Sequence, residues 1–445
     1  MIREQDLQYL QDIFERTSND IAVLYGRRQV GLFQTLLSFI KDKEYLYYHA
    51  GAVTDITQKI LFAGELHEQT RTPIVPTDDY EKLLDSFISG HTKGKTVIVL
   101  DDFHLIIREN PTFINFIAGF ISEKCEKDSV MFLLVSDDIR WVEKDMIRLI
   151  GRKSSEISGV IKLNGFSPAE FVLRFPGMPL QNVIGIYSYI GEKCTYYDGL
   201  TERTTLRDVI IQHLERYSDD SFDTNCYLPE EIREPQLYNT ILVHIAEGDG
   251  KLGDLHDLTG ADRAKLSVYI KALIENDMVE KAGTAFYRIK DRYIRFYYRF
   301  VFPHISSLYI LGSERFYRKF IEHALPGFLE ETYPLFCMEQ IRWLQKENRL
   351  NFRVTSIEEY HDRNKAIDFI IIAAGGNIIA CACRYELPHM SYKTYESVRA
   401  SVRKNRLACE NIWLFSASGF DQKLSMFGSV TPGVKLIDGE DQRLH

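Results

Sequence analysis

Asp20-Ile21-Ala22-Val23-Leu24-Tyr25-Gly26-Arg27-Arg28-Gln29-Val30-Gly31-Leu32-Phe33 is the stretch on which the reading of this chain turns. The apolar run 20–25 reads as a short buried strand, and helical spacing resumes from Leu32 through Leu36, Leu37 and Phe39. Between them Gly26 and Gly31 bracket four residues. A phosphate-binding loop has this spacing, but it continues Gly-Lys-Ser/Thr. The glycines let backbone N–H groups approach phosphate, the lysine reaches the outer phosphates, and the hydroxyl binds Mg²⁺. Here Leu32 takes the lysine place and Phe33 the hydroxyl place. The turn is retained and the chemistry is not.

Further strands are predicted at 44–49, 96–100, 131–136 and 160–163, with helices at 34–42, 79–90, 112–124 and 141–150 between them. An amphipathic helix carrying Leu7, Leu10, Ile13 and Phe14 precedes the first strand. Strands alternating with helices imply a parallel sheet covered on both faces, whose ligands sit beyond the carboxyl ends of the strands. The Gly26 loop, Asp101-Asp102 and Ser136 all fall at such ends. They are expected to be neighbours in space.

From 165 to 234 the pattern is helical and reads as a lid over the 1–164 domain. Residues 235–305 read as a winged helix, with helices at 237–246, 251–258 and 261–276 and a wing at 278–281 and 285–289. In the third helix Leu266, Ile270, Leu273 and Ile274 are expected to face inward, and Arg263, Lys265 and Lys271 outward as a candidate DNA-binding face. The run 293–303 is dense in aromatics and arginine, a composition that suits base stacking or a packing helix. Residues 315–445 read as a further α/β domain. Its predicted elements are a helix at 335–347, a hairpin 367–373/377–385, a helix at 392–405, and strands at 411–416 and 434–437.

A length of 445 residues accommodates roughly two to four domains. The net charge of −9 excludes a generally basic nucleic-acid coat, though not a local basic face. Seven scattered cysteines predict reduced cytosolic thiols, because the one close pair, Cys381 and Cys383, has no His or Cys cluster nearby to complete a zinc site. The N-terminus shows carboxylates by Asp6 and no apolar signal core, and the apolar 366–383 run is broken by Asp368, Gly375, Gly376 and Asn377. A cytoplasmic protein with no membrane span is the expectation.

The ordered set of motifs resembles a known family. Gly-Arg-Arg-x-Val-Gly at 26–31 is followed by Asp101-Asp102-Phe103, Gly151-Arg152, the winged-helix pattern, Asp291-Arg292-Tyr293-Ile294-Arg295-Phe296 and Phe415-Ser416-Ala417-Ser418-Gly419-Phe420. This is similar to the archaeal-type AAA-like ATPases, within the STAND-related P-loop NTPases. Their members join a P-loop ATPase domain, a winged helix and a C-terminal domain of PD-(D/E)xK restriction-endonuclease type. The resemblance covers nearly the whole chain. It implies ATP and Mg²⁺ as cofactors, with Gly26, Arg27, Arg28, Gly31, Leu32 and Phe33 in the phosphate-loop places. It also implies Asp101 as the metal-supporting acid, Asp102 at the water-positioning place (one methylene shorter than the usual Glu), Ser136 as a sensor-like residue, and Arg152 approaching a phosphate. In the C-terminal domain the family's Asp is Asp368. Ala382-Cys383-Arg384 stands where Glu-x-Lys belongs, so Arg384 replaces the lysine and the second carboxylate is lost unless Glu386 replaces it.

Three functions follow. One is a scaffold with the nucleotide-binding fold that no longer hydrolyses and acts through its winged-helix and nuclease-like domains, with DNA, a protein partner or a second copy of itself as the partner. Another is an active ATPase coupled to DNA binding, which recruits its cation from Arg27, Arg28 or Lys41. The last is a nucleic-acid enzyme that uses the C-terminal domain. If Phe33 points into the phosphate cavity, the site is closed.

Overall fold

The computed structural model describes residues 4–438 apart from 72–78, 90–93, 126–128, 151–155, 218–222, 226, 229–233, 249, 283–285, 361–364 and 386–388. The chain forms two compact units, Met1–Gly165 with Glu192–Asp198, and Phe166–Gly191 with Gly199–His445.

The first unit is built on five strands, β1 (Asp20–Tyr25), β2 (Tyr45–His49), β3 (Thr96–Asp101), β4 (Val130–Ser136) and β5 (Ile157–Lys162). They pair in the order β2-β3-β4-β1-β5, all parallel. Side chains alternate across the strands, and both faces are apolar. Ile98, Leu100, Phe132 and Leu134 pack with helical residues such as Phe62, Leu83, Ile106 and Ile117. Val97, Val99, Met131 and Leu133 pack with Leu10, Ile13, Leu36 and Phe39. Burial on both faces explains why these strands read as continuous apolar runs. This parallel, doubly covered sheet is that of a P-loop NTPase fold. Its register sets Tyr25 opposite Ser136 and His49 opposite Asp101, so the carboxyl ends of β1 to β4 form one edge.

β1 runs over the residues expected for it, and the other strands differ by one to three residues at their ends. The expected helix at 141–150 is a widened turn over Trp141–Met146 followed by Ile147–Ile150. The helices Asp55–Thr70 and Phe103–Glu109 were not anticipated.

In the second unit, three helices (Pro235–Glu247, Leu252–Thr259 and Arg263–Glu275) precede an antiparallel ribbon of β6 (Val279–Ala282) and β7 (Phe286–Ile289). Ile274 is 36% exposed rather than inward-facing, because the inward stripe of its helix is Leu266, Ile270 and Leu273. The aromatic segment is core. Tyr293, Phe296, Tyr297, Tyr298 and Phe300 are buried, and Arg295 and Arg299 pair with Glu331 at 2.6 and 2.7 Å. With its rings enclosed, this segment packs protein and offers no platform for bases.

The C-terminal sheet contains β8 (Val354–Glu359), β9 (Phe369–Ala373), β10 (Ile378–Arg384), β11 (Cys409–Ser416) and β12 (Val434–Ile437), in the order β12-β11-β10-β9-β8. β9 and β10 form the expected hairpin, and the helix Tyr392–Lys404 carries the chain from β10 to parallel β11. The preceding helix spans Leu325–Lys346, starting ten residues before the expected 335 and containing Pro334.

Gly26 is held where a Cβ would lie 2.7 Å from the backbone oxygen of Leu163. Gly26→Ala is therefore expected to shift the loop off β5 and to destabilise the first unit by about 1–3 kcal/mol. Chemical denaturation monitored by circular dichroism reads this directly.

Candidate functional site

The loop after β1 folds onto itself. Gly26 N–H donates to Ser136 O (3.1 Å), Val30 N–H to Arg27 O (3.1 Å) and Gly31 N–H to Arg28 O (3.2 Å), closing a short 3₁₀ turn at Arg28–Val30. Gly31, with φ 90° and ψ 25°, then starts the helix Leu32–Ile40. That left-handed conformation favours glycine. The N–H groups of Val30 and Gly31, which a phosphate would need, already have partners. Segment 192–198 returns to this unit, and its Thr195 hydroxyl donates to Gln29 O at 3.2 Å.

Leu32 is 3% exposed and joins the core beneath the sheet, whereas Phe33 is 46% exposed. Phe33 is thus half exposed at the start of its helix, while Leu32 is part of the core. Neither position supplies an ammonium or a hydroxyl.

Arg28 is the cation here. Its Nη2 donates to Asp102 Oδ2 at 2.6 Å and its Nε to Asp137 Oδ2 at 2.7 Å, so one guanidinium bridges the ends of β3 and β4. Burial works against its charge, but Asp137, Asp102 and Asp101 outweigh burial and raise its pKa. Asp102 sits in a left-handed backbone conformation (φ 53°, ψ 36°). Burial first, then Asp137 and Asp101, push its carboxyl up to about 6, against the opposing pull of Arg28 and His49. Its Oδ1 is buried and has no hydrogen-bond partner. Asp101 Oδ2 accepts from the Tyr47 hydroxyl (2.8 Å) and lies 3.2 Å from His49 Nδ1.

Ser136 is fully buried, 2.9 Å from His104 Nδ1, and its Oγ accepts from Asp138 N–H at 3.2 Å. It braces the turn after β4. Burial, aided by Arg108, lowers the His104 pKa. Among the described residues, two groups of side chains have the spacing to hold a metal ion, His49–Asp101–Asp102 and Asp102–His104–Asp137. The expected gathering of the loop, Asp101, Asp102 and Ser136 is thus seen, with Tyr47, His49, His104 and Asp137 added to it. No motif singled out these four, because strand register rather than sequence spacing brings them in. Arg152 lies outside the described residues.

The second unit holds its own acid cluster. Asp368 Oδ2 accepts from Cys383 N–H (2.7 Å) and from Arg384 Nη1 (3.2 Å). Glu330, from the helix Leu325–Lys346, accepts from Tyr385 N–H at 2.6 Å and lies 3.8 Å from Arg384 Nε. Burial pushes Asp368 up to about 6 and Glu330 adds to this, while Arg384 and the Cys383 N–H oppose it. Here too an arginine stands between two carboxylates. Glu386 lies outside the described residues; the second acid seen is Glu330. On the helix Arg263–Glu275, Arg263 and Lys271 are exposed and eight residues apart, hence close to one face. Lys265 turns toward Glu234, 3.7 Å away.

Residues 297–398, which include Glu330, Asp368 and Arg384, match the family model DUF234, described as archaea bacterial proteins of unknown function. The chain is 25% identical over 391 residues to the uncharacterized protein MJECL04 of Methanocaldococcus jannaschii, covering 83% of each. Among solved structures it is similar to the Walker-type ATPase PABY2304 of Pyrococcus abyssi, with 12% identity, a TM-score of 0.49, and 67% of this chain against 95% of that one. It is also similar to the Aeropyrum pernix ORC2 protein in its ADPNP–ADP complexes, with 15% identity, a TM-score of 0.41, and 69% against 93%.

Asp368 provides a pH test. Its folded-state pKa lies above the ordinary 3.8, so its contribution to stability is fully present below pH ~4 and is lost as pH rises through about 6. Stability of the wild-type second unit is expected to fall across this window by up to ~1.4 kcal/mol per pH unit relative to Asp368→Asn. Denaturation midpoints measured at several pH values would show parallel curves if this were wrong.

Proposed function

We propose that this chain is a P-loop NTPase-fold scaffold that has given up ATP hydrolysis and acts through its second unit. The observation that carries the reading is the Arg28 bridge to Asp102 and Asp137. Phosphoryl-transfer enzymes work by placing cations against the charge that develops on the transferred group, and loss of one such contact commonly costs ~10²-fold or more in rate. In this chain Arg28 of the loop is committed to two carboxylates. The residues in the places of the ammonium and the metal-binding hydroxyl are a core leucine and a half-exposed phenylalanine. These residues do not fit a magnesium triphosphate held for hydrolysis. What remains for an anion is the N-terminus of the helix Leu32–Ile40, which has no side-chain cap. It supports weak nucleotide affinity at most.

The test is ATP turnover by wild type and by Leu32→Lys/Phe33→Thr. Wild type is expected at background, and any restored activity belongs to the double variant. Wild-type turnover that Asp102→Asn abolishes would overturn the proposal.

The three helices and ribbon of residues 235–289 support a winged helix, and the exposed pair Arg263 and Lys271 supports contact with DNA phosphates. Two phosphate contacts make a salt-sensitive interaction with little sequence preference. Arg263→Ala/Lys271→Ala is expected to weaken a DNA mobility shift equally across sequences and to lower the salt slope by about two units. Unchanged binding would move the DNA contact elsewhere or remove it.

A further inference from the structure

At the carboxyl edge of β3 and β4 the charges do not balance. Arg28 pairs with Asp102 and Asp137, and Asp138 has Arg108 at 2.6 Å, whereas the partner of Asp101 among the described basic residues is the His49 imidazole. Buried carboxylates are stable when paired or when they coordinate a metal.

The geometry around His49 suits a metal. His49 Nδ1 lies 3.2 Å from Asp101 Oδ2 and 3.7 Å from Asp102 Oδ2. Ligand atoms at the corners of a tetrahedron with metal–ligand bonds of ~2.0–2.1 Å stand ~3.4 Å apart. One ligand atom from each of His49, Asp101 and Asp102 lies within 4.8 Å of the others, and the second carboxylate oxygen of Asp102, on a residue 6% exposed, is buried without a hydrogen-bond partner. His49 is 48% exposed on its side chain, which gives an ion a way in from solvent.

The outer shell is also in place. Tyr47 donates its hydroxyl to Asp101 Oδ2, and Arg28 holds Asp102 Oδ2. Such partners orient ligating carboxylates and tune their basicity.

We propose that His49, Asp101 and Asp102 form a divalent-metal site that is filled without nucleotide and prefers borderline ions such as Zn²⁺ or Co²⁺ to Mg²⁺. Mg²⁺ takes oxygen ligands in near-ideal octahedral geometry and keeps its water. An imidazole with two carboxylates suits the later transition metals instead. The ion differs from the magnesium that accompanies a nucleoside triphosphate in a phosphate loop. It needs neither the missing lysine nor the missing hydroxyl, so the proposal stands independently of the scaffold reading. Three protein ligands leave a fourth position for water. A bound ion would also tie β2 to the end of β3.

The test uses the full-length chain, stripped with a chelator and free of nucleotide. Co²⁺ is titrated while visible d–d absorption is recorded, and Zn²⁺ and Mg²⁺ are titrated by calorimetry. Wild type is expected to bind one Co²⁺ or Zn²⁺ per chain, with Mg²⁺ far weaker. His49→Ala and Asp101→Asn are expected to weaken binding roughly tenfold or more. Asp137→Asn, from the other triad, is expected to retain binding. His49→Gln keeps a polar side chain at the exposed position, and its melting curve checks folding. Absence of cobalt binding in wild type, full binding in folded His49→Ala and His49→Gln, equal affinity for Mg²⁺, or loss of the site in Asp137→Asn alone would each overturn the proposal.

Discussion

The first unit is organised around a surplus of negative charge at the end of a buried parallel sheet. Two apolar faces fix the strand register, and that register brings Asp101, Asp102 and Asp137 to one edge. A guanidinium from the glycine-bracketed loop meets two of them. The loop is then held from both sides, by its own backbone hydrogen bonds and by the bridge. The bridge ties the loop to the two acids, while the backbone bonds and left-handed Gly31 set the loop's turn and the helix start. A planar fork suits the task, since Arg28 reaches separate carboxylates with Nε and Nη2.

The second unit repeats the pattern in a different fold. Arg384 lies between Asp368 and Glu330, on a mixed sheet rather than a parallel one. In both places one guanidinium reaches two carboxylates that come from different elements. Arg stays protonated and is a poor proton carrier near neutral pH.

Much of this was legible in the sequence. The strand at 20–25 was readable because an apolar run ends at a glycine that the next turn requires. Asp101, the last residue of β3, and Asp102 were readable because the apolar run Val97–Leu100 leads straight into them. Other features were hidden for physical causes. The helix Asp55–Thr70 exposes Ile56, Ile60 and Leu61 while burying Phe62, Ala63 and Leu66, so its apolar stripe is blurred. Glu330 escaped notice because Pro334 lies inside its helix, and proline ordinarily argues for a helix start or break. His49 was silent because its role comes from pairing opposite Asp101 across two strands, not from spacing along the chain.

The return of Glu192–Asp198 to the first unit has a practical meaning. The polypeptide passes between the units three times, at 165/166, 191/192 and 198/199. No single cleavage separates them cleanly. A fragment ending at Gly165 would lack Thr195 and its bond to the Gln29 carbonyl, so the glycine-bracketed turn after β1 would lose a contact supplied from downstream. That contact can form only once the ribosome has moved well past the sheet.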